Sequence, residues 1–133
     1  MKTLLIILLF LPLTLYAPES HEAIVFQSSG VNPYESLFHA TTIVESSKNP
    51  LVINYDEMAY GLVQIRQVKL DDFNKQSGKH YSLEDCLDPG IAREIYMHFA
   101  SKYGPMDIES IARAWNGSGP MTDRYWTKIQ KEL

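Results

Sequence analysis

The chain has 133 residues, 45% hydrophobic and 21% charged, a formal net charge of -4 and one cysteine, Cys86. That length and balance fit one ordinary globular domain and leave no comfortable room for a second. An acidic total with scattered Lys and Arg gives no basic field for a phosphate backbone, which argues against nucleic acid as a partner. A lone cysteine excludes an intrachain disulfide, so stability has to come from the core.

Lys2 precedes an apolar run from Leu4 to Leu15, shorter than the roughly 20 residues that span a bilayer and matched to the apolar stretch of an export signal. Residues 1–17 are thus expected to be a signal peptide or an uncleaved amino-terminal anchor. The domain would occupy residues 18–133, exported to a periplasm or the extracellular space, with Ala17 to Gly30 as a leader. At Asn32-Pro33-Tyr34-Glu35, Asn can cap a helix, Pro suits its first turn and Glu can reach back to the cap. Leu37, Ala40, Thr41 and Val44 then fall at the i, i+3, i+4, i+7 positions of one buried face. Glu45 sits on the edge of that face, and Asn49-Pro50 is expected to stop the helix. A carboxyl set half into an apolar wall at a helix end keeps its proton longer than a solvated one, as a general acid must.

Val52, Ile53 and Tyr55 alternate ahead of Asp56-Glu57, suggesting an extended or irregular segment. In Gly61-Leu62-Val63-Gln64-Ile65 a glycine allows close backbone approach and Gln64 offers both a donor and an acceptor. The competing reading is a short buried strand with one polar residue facing out. Arg66 to Ser77 reads as a polar helix or turn ending at Gly78, with Leu70 and Phe73 inward and Asp71-Asp72 on a solvated face.

Asp88-Pro89 opens another helix, with Ile91, Ala92, Ile95, Phe99 and Tyr103 on its inner stripe and Gly104-Pro105 at its end. Glu94 and His98 lie four apart on it, but two ligands without a third read as an exposed pair, so no metal and no cofactor are expected. Cys86 reads as a small buried apolar residue rather than a reactive thiol. Asp107 can cap a helix bearing Ile108, Ile111, Ala112 and Trp115, which ends in the turn cluster Asn116-Gly117-Ser118-Gly119-Pro120. Ser118 lacks the spacing of a nucleophile elbow. Thr122 can cap a last helix with Tyr125, Trp126, Ile129 and Leu133 inward. The sum is a small, mainly α domain with one partly extended cleft wall.

Three segments, Glu45-Ser46-Ser47-Lys48-Asn49-Pro50, Ala59-Tyr60-Gly61-Leu62-Val63-Gln64-Ile65, and Ala112-Arg113-Ala114-Trp115-Asn116-Gly117 with Tyr125 beyond it, coincide in order and separation with one pattern. Together they resemble the soluble lytic transglycosylase family of the lysozyme superfamily, from about Tyr34 to the carboxyl end. The resemblance implies a lysozyme-like helical fold, of the goose-type and transglycosylase kind, with a glycan cleft. It also implies cleavage of the bond between N-acetylmuramic acid and N-acetylglucosamine in peptidoglycan strands, giving 1,6-anhydromuramyl ends. Glu45 matches the single catalytic acid/base and Ser46 the neighbouring serine that helps place the sugar. Gly61 and Gln64 match the cleft segment, Asn116 the late helix-end asparagine and Tyr125 the tyrosine after it. Tyr60 holds a variable place where a ligand role is plausible. Met58, Arg66-Gln67 and Trp115 depart from the family's usual residues. Two alternatives stay open: a hydrolytic muramidase using Asp56 or Glu57 as second carboxylate, and a glycan-binding module without turnover. Wall remodelling, phage-borne wall penetration and work beside an envelope-spanning secretion or conjugation machine are all settings for such domains.

Overall fold

The turn at Asn32 sets where the first helix begins. Asn32 Oδ1 accepts the Tyr34 amide at 3.0 Å and its carbonyl accepts the Glu35 amide at 3.1 Å, so Asn-Pro forms a turn ahead of the helix instead of capping it. The structure, a computed structural model, describes residues 32–133; the expected signal segment and most of the leader lie outside the described residues. Helix α1, Glu35–Ser46, buries Leu37, Phe38, Ala40, Thr41 and Thr42, more than one stripe. A helix buried on several sides lies within a domain rather than on its surface, and α1 packs against three later helices.

The stop of α1 comes earlier than Asn49-Pro50. Ser47 and Lys48 take positive φ values of 52° and 64°, and their amides return to Ile43 O and Thr42 O at 3.1 and 3.0 Å. Two successive non-glycine residues in the left-handed region are uncommon. The bonds they return satisfy carbonyls that the helix end leaves open.

The chain then forms a small antiparallel sheet of three two-residue strands, β1 Ile53–Asn54, β2 Ala59–Tyr60 and β3 Ile65–Arg66, in that order. Ile53 stands opposite Tyr60, and Tyr60 opposite Ile65. Residues 61–64 are therefore a tight turn and not a strand, with Gly61 at φ 78° and Gln64 at φ 53°.

Helix α2, Gln67–Ser77, ends on Gly78 in the left-handed conformation and buries Leu70 and Phe73, as its pattern indicates. A 3-10 turn, Glu84–Leu87, follows and buries Cys86. Burial pushes the Cys86 thiol up to about 12, which leaves it unreactive at neutral pH.

Helix α3, Pro89–Ala100, is capped by Asp88, whose Oδ1 accepts the Gly90 and Ile91 amides at 2.8 and 3.0 Å. Its buried residues are Ala92, Ile95, Tyr96 and Ala100, with Ile91 and Phe99 only half-buried. The stripe is thus rotated toward Tyr96, whose ring meets Phe38 edge-on and tilts against Trp115, and whose hydroxyl lies 3.0 Å from Thr41 Oγ1. Buried partners for both ring and hydroxyl explain why a tyrosine, which a polarity pattern places outside, goes inside. Helix α3 ends at Ala100, short of Gly104-Pro105.

Helix α4, Ile108–Asn116, buries Ile111, Ala112 and Trp115. Helix α5, Met121–Gln130, buries Thr122, Tyr125 and Ile129, whereas Leu133 lies beyond it and is exposed. Neither Asp107 nor Thr122 caps with its side chain: Pro120 stands at the N-cap of α5, and Thr122 Oγ1 donates to Gly119 O at 2.8 Å. Arg113 joins the two helices by reaching Glu109, Thr122 and Asp123. No described helix is long and apolar enough to cross a membrane.

Candidate active site

A groove of about 240 Å3 opens at the end of α1, lined by Glu45, Gln64, Arg66, Lys69, Asp72 and Trp115, with Val68, Phe99, Asn116 and Gly117 completing it. Three of the sequence-derived site residues, Glu45, Gln64 and Asn116, meet here from three separate segments. The other four do not line it.

Glu45 is half-buried on the last turn of α1. Desolvation is the main cause that raises its carboxyl above the usual range; Arg66 and Lys128 pull the other way and Glu57 adds to the rise. The negative end of α1 acts in the same direction as desolvation. The hydroxyl of Tyr125 also faces this carboxyl and holds it down somewhat, yet that buried hydroxyl makes no well-aligned hydrogen bond. Tyr125 is therefore a buried neighbour behind the acid and not part of the groove wall.

Ser46 is likewise buried. Its Oγ lies 2.8 Å from Leu62 O and 3.1 Å from Thr42 O, so its single proton fastens the 61–64 turn to α1. Two other carbonyls of that turn are held in the same way. Trp115 Nε1 donates to Val63 O at 3.0 Å, and Gln64 Nε2 donates to Gly61 O at 3.0 Å and to Val52 O at 3.2 Å. With both donor bonds internal, the Gln64 side-chain oxygen is the atom left for a ligand.

Two expectations are corrected. Tyr60 is buried in β2 as part of the core and does not face the groove, because the strand places it opposite Ile53 and Ile65. Gly61 approaches the protein's own backbone: a Cβ there would stand 2.1 Å from Cys86 O. The close approach that a glycine permits is spent on packing the 3-10 turn against β2.

Asp56 and Glu57, the carboxylates considered for hydrolysis, do not line the groove. Glu57 forms an ion pair with Arg66 on an exposed edge. The carboxylate that does share the groove with Glu45 is Asp72. Its position, with Lys69, has a signal in the sequence: residues 69 and 72 lie three apart on α2 and so share one side of it. Glu94 is engaged by Lys79 and Tyr81 while His98 faces Gln76, so the two point to different partners.

Compared with known proteins, the chain matches no family model, no curated sequence and no solved structure. Chemically, the groove offers one acid held above its ordinary range, an amide oxygen from Gln64, the Asn116 side chain and an aromatic wall from Phe99 and Trp115. Polar side chains that accept and donate beside aromatic faces suit hydroxyl-rich ligands.

Proposed function

We propose that this protein is a peptidoglycan lytic transglycosylase with a lysozyme-like fold, cleaving the N-acetylmuramic acid–N-acetylglucosamine bond with Glu45 as its acid and base. The observation that carries the reading is a desolvated carboxyl at a helix end that opens into a groove beside Gln64 and Asn116. A raised acid is protonated over more of the pH range, which general-acid catalysis requires. Retention of that acid favours turnover over simple glycan binding. The activity belongs outside the cytoplasm, where the polymer lies, in keeping with the Leu4–Leu15 run.

In the first half-reaction the Glu45 proton passes to the bridging oxygen as the glycosidic bond breaks. The carboxylate then takes the proton of the muramyl C6 hydroxyl, whose oxygen bonds to the anomeric carbon. Glu45 ends as it began, no water is consumed, and the new end carries a 1,6-anhydro ring. One carboxyl suffices because the nucleophile belongs to the substrate and needs no capture from solution.

Asp72 favours a second reading, hydrolysis, since a two-carboxylate glycosidase needs a base that activates water across the cleft. Mass spectrometry of muropeptides released in 18O-water separates the two. Anhydro ends without label support the transglycosylase; labelled reducing ends at every cut support hydrolysis and refute it. Glu45→Gln should release neither product.

A further inference from the structure

The groove does not stop at its aromatic wall. A second hollow, of about 220 Å3, shares Lys69, Phe99 and Trp115 with it and continues between α3 and α4 past Lys102, Ile111 and Ala114. Lys69 lies over both rings, 4.4 Å from the centroid of Trp115 and 5.0 Å from that of Phe99, and Lys102 lies over the same Phe99 ring at 4.5 Å. Cations are attracted to the faces of aromatic rings. Two ammonium groups gathered around one ring also repel each other.

Asp72, on the side of the Glu45 groove, offsets part of that repulsion at Lys69, but the hollow's own lining supplies no negative charge. Its charged lining residues are Lys69 and Lys102, with no carboxylate among the lining side chains. Asp72 lines only the Glu45 groove. Among the described residues, neither lysine is in an ion pair. Lys69 Nζ donates to Ala114 O at 3.3 Å and Lys102 Nζ to the neutral Gln76 side chain. Desolvation brings Lys69 down to about 8, with Arg66 and Lys102 adding to the fall and the nearby Asp72 carboxylate working against it. An anion in the hollow would relieve both costs, since burial and like charge each disfavour an unpaired ammonium.

We infer that the hollow between α3 and α4 is a carboxylate-binding subsite, in which Lys69 and Lys102 hold an acidic group of the peptide branch carried by the strand cleaved at Glu45. This rests on the proposed glycan-cleaving function. Continuity through Lys69, Phe99 and Trp115 makes the two hollows parts of one binding surface. The charge complement is a carboxylate, and the apolar remainder, Ala100, Ile111 and Ala114, suits small side chains such as alanine. Lys69, at the junction, is a specificity-determining residue rather than a catalytic one.

Three probes test this with the full chain: glycan strands bearing their peptides, the same strands stripped by an amidase so that only the lactyl carboxylate remains, and chitin oligosaccharide, which has neither. The readout is the ratio of kcat/KM on peptide-bearing over stripped strands. In Lys102→Met, and again in Lys69→Met, that ratio should fall by at least about tenfold, the lower worth of one charge-assisted hydrogen bond. Lys102→Arg should restore most of it. Equal losses on peptide-bearing and stripped strands would overturn the assignment, as would an unchanged ratio in both variants. Equal affinity of the Glu45→Gln protein, with both lysines intact, for chitin oligosaccharide and peptide-bearing strands would overturn it as well. Failure of the wild type to cleave any strand would instead remove the transglycosylase reading, and the subsite with it. Lys102 is a surface residue outside the Glu45 groove, so its substitution leaves the fold out of the comparison.

Discussion

The indole of Trp115 donates to the main-chain oxygen of Val63 at 3.0 Å, in a buried bond between residues 52 positions apart. This ties the end of α4, and with it Asn116, to the turn that carries Gln64. Ser46 fastens the preceding carbonyl, Leu62 O, to the end of α1. The groove is thus held together by hydrogen bonds to one four-residue turn, drawn from the segments on either side of it.

Trp115→Phe keeps an aromatic ring but removes the donor, leaving a buried carbonyl unpaired at a cost of about 1–3 kcal/mol. Chemical denaturation should show that loss. KM for the glycan should rise together with it, because Gln64 loses its support. A variant that is as stable and as active as the wild type would show that the bond does not hold the groove.

Glu45→Gln should abolish cleavage and raise stability at neutral pH. Burial raises the folded-state pKa of Glu45 above the ordinary carboxylate range, so the native state holds its proton more tightly than the unfolded chain does. The sign follows by linkage: stability falls as pH rises from about the unfolded value through the raised one, then stays level. Glutamine mimics the protonated acid and escapes this loss. Thermal melts should therefore show a Tm gain of a few degrees at pH 7 and little difference at pH 4. A variant less stable than wild type at pH 7 would count against a desolvated acid.

Tyr125→Phe removes a buried hydroxyl that makes no well-aligned hydrogen bond but helps the Glu45 carboxylate. The acid should then rise further, moving the alkaline limb of the activity profile to higher pH. Stability should change little or increase, since an unsatisfied buried group is being deleted. A limb that moves to lower pH would reverse the role given to this phenol.

Gly61→Ala should be among the most damaging single changes. Its Cβ would meet Cys86 O at 2.1 Å, at a φ of 78° that alanine resists. Strain and clash together place the cost at about 3 kcal/mol or more. Circular dichroism with urea titration measures it. Near-native stability with lost binding would instead assign the glycine to the ligand.

How much of this was legible beforehand differs by element. Helix α2 follows its apolar spacing, α5 does so at Tyr125 and Ile129 only, and Asp88-Pro89 marks the start of α3 because a capping carboxylate and a ring-locked φ act within one turn. Those are local effects. The stop of α1 at Ser47 was not legible, since left-handed serine and lysine are stabilised by bonds back to Thr42 and Ile43 and leave no residue signature. Nor was the inward turn of Tyr96, which depends on Thr41, Phe38 and Trp115 from other segments.

The sequence alone determined that Glu45 and Asn116 lie at helix ends, because capping, periodicity and turn chemistry are set by near neighbours; that residues 61–64 form a turn rather than a strand came from the structure. Only the tertiary structure decided that Glu45, Gln64 and Asn116 face one groove while Ser46, Tyr60, Gly61 and Tyr125 lie behind its walls. Only it added Lys69, Asp72 and Trp115 to the lining. Which side of a short strand or turn meets solvent is fixed by what packs on its other side, and that partner comes from distant parts of the chain.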